Sequence, residues 1–194
     1  MRYFLVDKPF GMLSQFTREH PDHRVLGELH PFPKEVYPVG RLDRDSEGLL
    51  ILTDDGRLNQ ALLHPRFGHP RTYWVQVEGI PDAATRRRLA AGPTIRVKKQ
   101  DHRCHPLTVL PIEVNLPDRD PPVRARKTVP DSWLALTLTE GKNRQVRRMC
   151  AAVGHPVLRL IRHAIGEVSR ADLSGQAVRK VDGDWLLARL RLNL

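Results

Sequence analysis

The charged stretch Gly40-Arg41-Leu42-Asp43-Arg44-Asp45-Ser46-Glu47 runs straight into Gly48-Leu49-Leu50-Ile51-Leu52-Thr53, and this junction constrains the fold more than any other part of the chain. A short, nearly all-apolar run bounded by turn residues reads as a buried strand. The charged cluster then sits in a loop at the end of that strand, where rigid scaffolds present reactive groups. Leu42 reads as a core anchor that turns the Asp43 carboxylate toward a cleft, and the flanking Arg41 and Arg44 favour its ionised form. A solvated turn rich in ion pairs accounts for the same residues, and composition does not separate the two readings.

Strand-like and helix-like stretches alternate irregularly around this junction. Residues 3–6 read as a first strand, stopped by the turn signal Lys8-Pro9-Phe10-Gly11. Thr53-Asp54-Asp55-Gly56 offers capping groups for a short helix over 57–64, ended by Pro65. Residues 72–78 are rich in β-branched and aromatic side chains and predict a strand. Asp82 caps a helix through Ala91, with Gly92 just past its end. Residues 105–114 supply a strand or two, and 117–130 is an exposed basic loop that includes Arg124, Arg126 and Lys127. A strand over 133–139, a helix over 143–153 closed by Gly154, and strands over 157–161 and 185–190 complete the pattern. The fold class is therefore α+β, with a mixed, largely antiparallel central sheet and flanking helices. At 194 residues the chain fits one domain built from two interleaved halves, large enough to need no disulfide or metal staple.

Charge indicates the kind of partner. Thirty-two Lys and Arg against 22 Asp and Glu give a formal +10, with arginine far ahead of lysine. The planar guanidinium suits phosphate and base edges, so nucleic acid is the expected polyanion. At helical spacing Val146, Met149, Cys150 and Val153 share one side, while Arg144, Arg147 and Arg148 fall on the other. From Gly141 to Lys180 nine basic residues meet only two acidic ones, which predicts a phosphate-binding face that includes Lys142 rather than a solvated helix with interleaved signs. No apolar run approaches the roughly 18 residues that a membrane span needs. The N-terminal apolar run is too short, and charged too soon, to read as a signal peptide. Only Cys104 and Cys150 are present, consistent with a reducing cytoplasm.

Two further clusters have competing readings. Tyr73 shares a strand face with Val75 and Val77, so it is either a core tyrosine or a ring on which a base stacks. Asp101-His102-Arg103-Cys104-His105 hints at zinc, but a second ligand pair at metal spacing is absent, and the segment reads as a loop. Asp43, Asp45 and Glu47 could ligate a nuclease metal, but Arg41 and Arg44 among them oppose a divalent cation. A non-catalytic, RNA-binding ribosome-assembly factor would explain the charge alone.

The motifs decide among these readings. Gly40-Arg41-Leu42-Asp43, followed by Ser46, residues 48–53 and Asp55-Gly56, resembles the catalytic motif of the pseudouridine synthases, in the form of their small-subunit RNA synthase branch. Glu140-Gly141-Lys142-Asn143-Arg144-Gln145-Val146-Arg147-Arg148-Met149 resembles that branch's later motif, and Gly154-His155-Pro156-Val157-Leu158-Arg159-Leu160-Ile161-Arg162 continues it in order. A closer resemblance rests on Lys8-Pro9, Gln15-Phe16-Thr17, residues 120–127 and Ser132-Trp133-Leu134; it is to a subgroup that acts on large-subunit (23S) rRNA and lacks the branch's small N-terminal RNA-binding domain. The resemblance implies the family's bent central sheet and a chain that uses no cofactor and no metal to isomerise an rRNA uridine; the oligomeric state is open, with a monomer as the default expectation. It makes Asp43 the catalytic carboxylate, Tyr73 the ring stacked on the flipped uracil and Arg147 the ion-pair partner of the aspartate. Leu160 and Arg41 would belong to the uracil pocket, and Lys142, Arg144, Arg148, Arg124, Arg126 and Lys127 would hold the RNA backbone. Arg71 stands where the family has lysine, and Asp7-Lys8-Pro9 where it has Asn-Lys-Pro.

Overall fold

The computed structural model describes residues 1–123 and 128–194. They form two compact units, one made of residues 1–69 and 161–194, the other of residues 70–160 inserted between them in the chain. In chain order the elements are β1 (Tyr3–Lys8), β2 (Met12–Leu13), β3 (Arg24–Val25), β4 (Tyr37–Pro38), β5 (Glu47–Thr53) and α1 (Gly56–Leu63). The inserted unit contains β6 (Arg71–Glu78), α2 (Ala83–Ala90), β7 (Thr94–Val97), β8 (Gln100–Arg103), β9 (Thr108–Ile112), β10 (Asp131–Leu138) and α3 (Gln145–Ala152). Strand β11 (Val157–Ile165) leads back into the first unit, which ends with β12 (Val168–Ser169), β13 (Val178–Val181) and α4 (Gly183–Leu190).

In the first unit β5 is the buried strand that its apolar run predicts, with Leu49, Leu50, Ile51 and Leu52 all at 0% exposure. Alternation sends Leu49 and Ile51 against Leu58 and Leu62 of α1 and Leu186 and Leu190 of α4. Leu50 and Leu52 face the other way and pack with Phe4, Val6, Met12 and Leu26. One edge of β5 pairs from Gly48 to Thr53 with antiparallel β1, which carries antiparallel β13 on its far side. The other edge is divided between two partners. Parallel β11 pairs at Glu47 and Gly48, and antiparallel β4 pairs at Leu52 and Thr53. Gly48 has φ +106°, and a Cβ there would overlap the backbone of Arg162 on β11, so no other residue fits.

Helix α1 starts where the sequence places its caps. The Asp55 carboxylate accepts the Arg57 N–H at 3.0 Å and the Tyr3 hydroxyl at 2.9 Å. Burial alone would raise the Asp55 carboxyl, but the hydrogen bonds from Arg57 and Tyr3 outweigh it and hold the group low. Burial, with the Asp55 charge beside it, pushes the Tyr3 phenol up to about 12. The segment 185–190, expected as a strand, is instead part of α4. Asp182 caps that helix by accepting the Trp185 N–H at 3.0 Å, and Leu186 and Leu190, four residues apart, are its buried pair. Its short apolar run fits either period; the cap decides.

In the inserted unit β10 runs antiparallel between β6 and β9, with Tyr73 opposite Leu136 and Ala135 opposite Leu110. Val75, Val77, Leu134 and Leu136 make a core with Met149 and Cys150 of α3. The hairpin of β7 and β8 turns through Lys98 and Lys99, both at positive φ, 48° and 68°. Antiparallel pairs predominate in both units, as expected, and the class is α+β.

Gly48→Ala should lower the stability to urea by at least about 2 kcal/mol, because strained φ and overlap with the β11 backbone add. An unfolding midpoint equal to the parent's would show that the β5–β11 approach is looser than described.

Candidate active site

Asp43 occupies the first position of a tight turn, its carbonyl accepting the Ser46 N–H at 3.0 Å, immediately before β5. The turn is held from behind by the segment after β1. The Ser14 hydroxyl donates to the Leu42 carbonyl at 2.9 Å and accepts the Leu42 N–H at 3.0 Å, clamping the residue before Asp43 on both sides. The Gly11 N–H donates to the Arg44 carbonyl at 2.8 Å, and Arg44 Nε returns a bond to the Gly11 carbonyl at 3.2 Å. Leu42 is buried as the sequence predicts, and Asp43 is half-buried beside it. Arg41 is exposed and reaches the Gln15 side chain at 3.4 Å.

A cation missed by the sequence reading lies under this loop. Lys8, at the end of β1, is fully buried, and its Nζ donates to the carbonyls of Pro9 at 2.9 Å and Met12 at 2.7 Å. Burial pulls its pKa down to about 8, while the negative charges of Glu47, Asp45 and Asp43 oppose the fall. The sequence shows Lys8 only at the end of a strand and within the Lys8-Pro9 signal, and neither says that it is buried. Asp7, which departs from the family pattern, is gripped by the Arg170 fork at 3.0 and 2.6 Å.

The basic helix lies in the inserted unit. Helix α3 buries Val146, Met149 and Cys150 as its periodicity predicts, and also Gln145. Burial drives the Cys150 thiol up to about 12, so it is an inert core group. Arg144 stands at the helix N-cap in the left-handed region, exposed like Lys142 and Asn143; Arg147 is half-buried. Arg148 is occupied internally: its guanidinium donates to the Asn143 carbonyl at 3.1 Å and to the carbonyl of Arg96 on β7. The loop before α3 is pinned by Gln145, whose side chain accepts the Lys142 N–H at 2.8 Å and donates to Glu140 at 2.6 Å. Burial pushes the Glu140 carboxyl up, but bonds from the His105 N–H, His102 and Gln145 outweigh it and leave the group low.

Tyr73 sits half-buried on β6, packed against the same core as Leu160, which is 6% exposed on β11. In the inserted unit, then, Tyr73, Arg147 and Leu160 lie on three elements around one core. Arg124, Arg126 and Lys127 lie outside the described residues. No helix among the described residues is long and apolar enough to cross a membrane.

Comparison with known proteins gives the family. Residues 2–152 match the family model described as RNA pseudouridylate synthase. A ribosomal large subunit pseudouridine synthase E of Xanthomonas campestris pv. campestris is 54% identical over 172 residues, covering 87% of this chain and 89% of that protein. One from Vibrio vulnificus is 46% identical over 185 residues, covering 95% of this chain and 74% of that protein. Among solved structures, a crystal structure of a pseudouridylate synthase superposes with a TM-score of 0.75 at 25% identity, over 97% of this chain and 73% of that one.

Because the folded Lys8 pKa lies below its unfolded value, the native state binds fewer protons than the unfolded chain between pH about 8 and the ordinary lysine value of 10.5. Below that window both states are charged and the cost of burying the ammonium is fully present; it disappears as pH rises through the window. The parent should therefore gain about 2 kcal/mol of stability relative to Lys8→Met between pH 8 and pH 10 in urea titrations. A difference that stays flat would mean that Lys8 is not desolvated.

Proposed function

The chain belongs to the RNA pseudouridylate synthase family, and from that premise we propose that it isomerises a uridine of large-subunit (23S) rRNA, with Asp43 as its catalytic carboxylate. The observation that carries the assignment is the turn at Asp43: Ser14 and Gly11 lock its backbone from behind, and its carboxylate, beside the buried Leu42, is left half-exposed. A backbone fixed in this way places the Cα of Asp43 before a substrate arrives, so less ordering is left to be done on binding. The names of the relatives, all large-subunit synthases at 43–54% identity among the first four, support the choice of RNA.

The reaction breaks the bond from ribose C1′ to N1 and joins C1′ to C5; N1 gains a proton and C5 loses one. No electrons enter or leave, so the chemistry needs neither cofactor nor metal. The base must leave the helical stack first, and the strongly positive chain offers the phosphate contacts that offset unstacking. Addition of the Asp43 carboxylate to C1′, and abstraction by it of a ribose proton to give a glycal, both require an ionised oxygen. The family's basic partner for that carboxylate is Arg147. Tyr73 supplies the ring on which the flipped uracil stacks, and Leu160 and Arg41 complete its surroundings. Lys142 and Arg144, both exposed, hold the RNA backbone; Arg148, tied to Asn143 and Arg96, shapes their loop. The enzyme works as a monomer in the reducing cytoplasm, where its free thiols persist.

Asp43→Asn should reduce single-turnover pseudouridine formation by on the order of 10³-fold or more, with the Kd for RNA within about threefold of the parent. Formation at the parental rate would remove Asp43 from the chemistry. Loss of binding together with activity would make it a folding residue.

A further inference from the structure

Two neighbouring residues of the inserted unit, His102 and Cys104, converge with Glu140 from a distant loop of the same unit. One ligand atom from each lies within 4.8 Å of the other two. Two positions apart along an extended segment, His102 on β8 and Cys104 just beyond its end project to one side. Glu140 arrives from the loop between β10 and α3, and its Oε2 meets His102 Nε2 at 2.9 Å. Its other oxygen already accepts the His105 N–H at 2.8 Å and the Gln145 amide at 2.6 Å. That leaves Oε2 as the atom turned toward the imidazole and the thiol.

We propose that these three residues bind a zinc-class divalent cation that staples β8 to the loop opening the arginine-bearing helix. A thiolate, an imidazole and a carboxylate form a donor set of borderline softness, which favours zinc over magnesium or calcium. The thiolate and carboxylate together balance the two charges of the ion, so a partly buried site becomes neutral. Tetrahedral zinc holds its ligand atoms about 3.3–3.8 Å apart, so closing the triad requires shifts of about 1 Å, mostly of side chains. A water completes the coordination.

The backbone under the site is fixed in advance. The Cys104 N–H donates to the Pro93 carbonyl at 3.2 Å, and Gly92, with φ +75°, lets the Cys104 and His105 carbonyls approach closer than any Cβ would permit. On the other side Gln145 links Glu140 to the Lys142 backbone, so the ion's position is coupled to the basic loop. The absence of a second Cys/His pair argues against zinc in the sequence; the fold supplies the third ligand from 36 residues beyond Cys104.

The test is titration of the untagged, reduced, chelator-treated full chain with Co²⁺. The expected result is a thiolate-to-cobalt charge-transfer band with tetrahedral visible bands that saturates at one equivalent and is displaced by Zn²⁺. Cys104→Ser should abolish the charge-transfer band, His102→Ala should weaken Co²⁺ binding at least about tenfold, and Cys150→Ser should leave the band intact. Zn²⁺ at about 100 times its Kd should raise the parent's Tm by about 5 °C. Absence of a sulfur band in the parent at saturating Co²⁺, or its persistence in folded Cys104→Ser, would overturn the proposal. If Cys104→Ser does not fold, the parent titration together with Cys150→Ser decides, because a band lost with Cys150 would also overturn it.

Discussion

Strand β5 is buried on both faces and paired on both edges, and the closest approach in that arrangement is at Gly48, where the parallel pair with β11 leaves no room for a side chain. The contact is closed from the side as well, because the buried Arg162 donates its Nε to the Leu49 carbonyl at 2.8 Å. The strand begins one residue earlier, at Glu47, which also pairs with β11, and the turn before it leads straight into that packed pair. Asp43 lies at the start of that turn. The position of the carboxylate is thus a consequence of how the most hydrophobic strand in the chain is packed.

The loop is then supported by polar groups that have no alternative partners in water. Lys8 gives up hydration for two carbonyls and the field of three carboxylates, and the fall of its pKa to about 8 records that burial is only partly offset. Ser14 is satisfied by a single backbone residue, donating to it and accepting from it. Interactions of this kind lose a full desolvation penalty when one partner is removed, which gives the turn one well-defined shape. On the proposed function, the exposed Lys142 and Arg144 would meet the RNA backbone, where the release of counterions supplies affinity rather than architecture.

The parts of this structure that were legible in the sequence are those with local signals. The β5 run, the Asp55 and Asp82 caps and the amphipathic period of α3 all appear where residue spacing places them. Spacing marks Asp43, Tyr73 and Arg147 as candidates, but the roles given to them rest on the motif resemblance. What escaped depends on tertiary context. The β7–β8 hairpin turns through Lys98-Lys99, which lacks the Asn or Gly that such a turn usually needs. Residues 185–190 predict a strand although they belong to α4, because a short apolar helix and a short strand share their composition. Arg148 fits a phosphate ligand by its spacing, but its guanidinium donates to Asn143 and to the carbonyl of Arg96, the second 52 residues away. The buried role of Lys8 and the meeting of Glu140 with His102 and Cys104 depend likewise on distant pairings.

Transcriptome-style mapping of pseudouridine in protein-free large-subunit and small-subunit rRNA, each incubated with the purified chain, tests the central claim most directly. The account predicts a new pseudouridine at one position of the large-subunit RNA and none in the small-subunit RNA. Modification confined to the small-subunit RNA, or binding to both RNAs without modification of either, would contradict it.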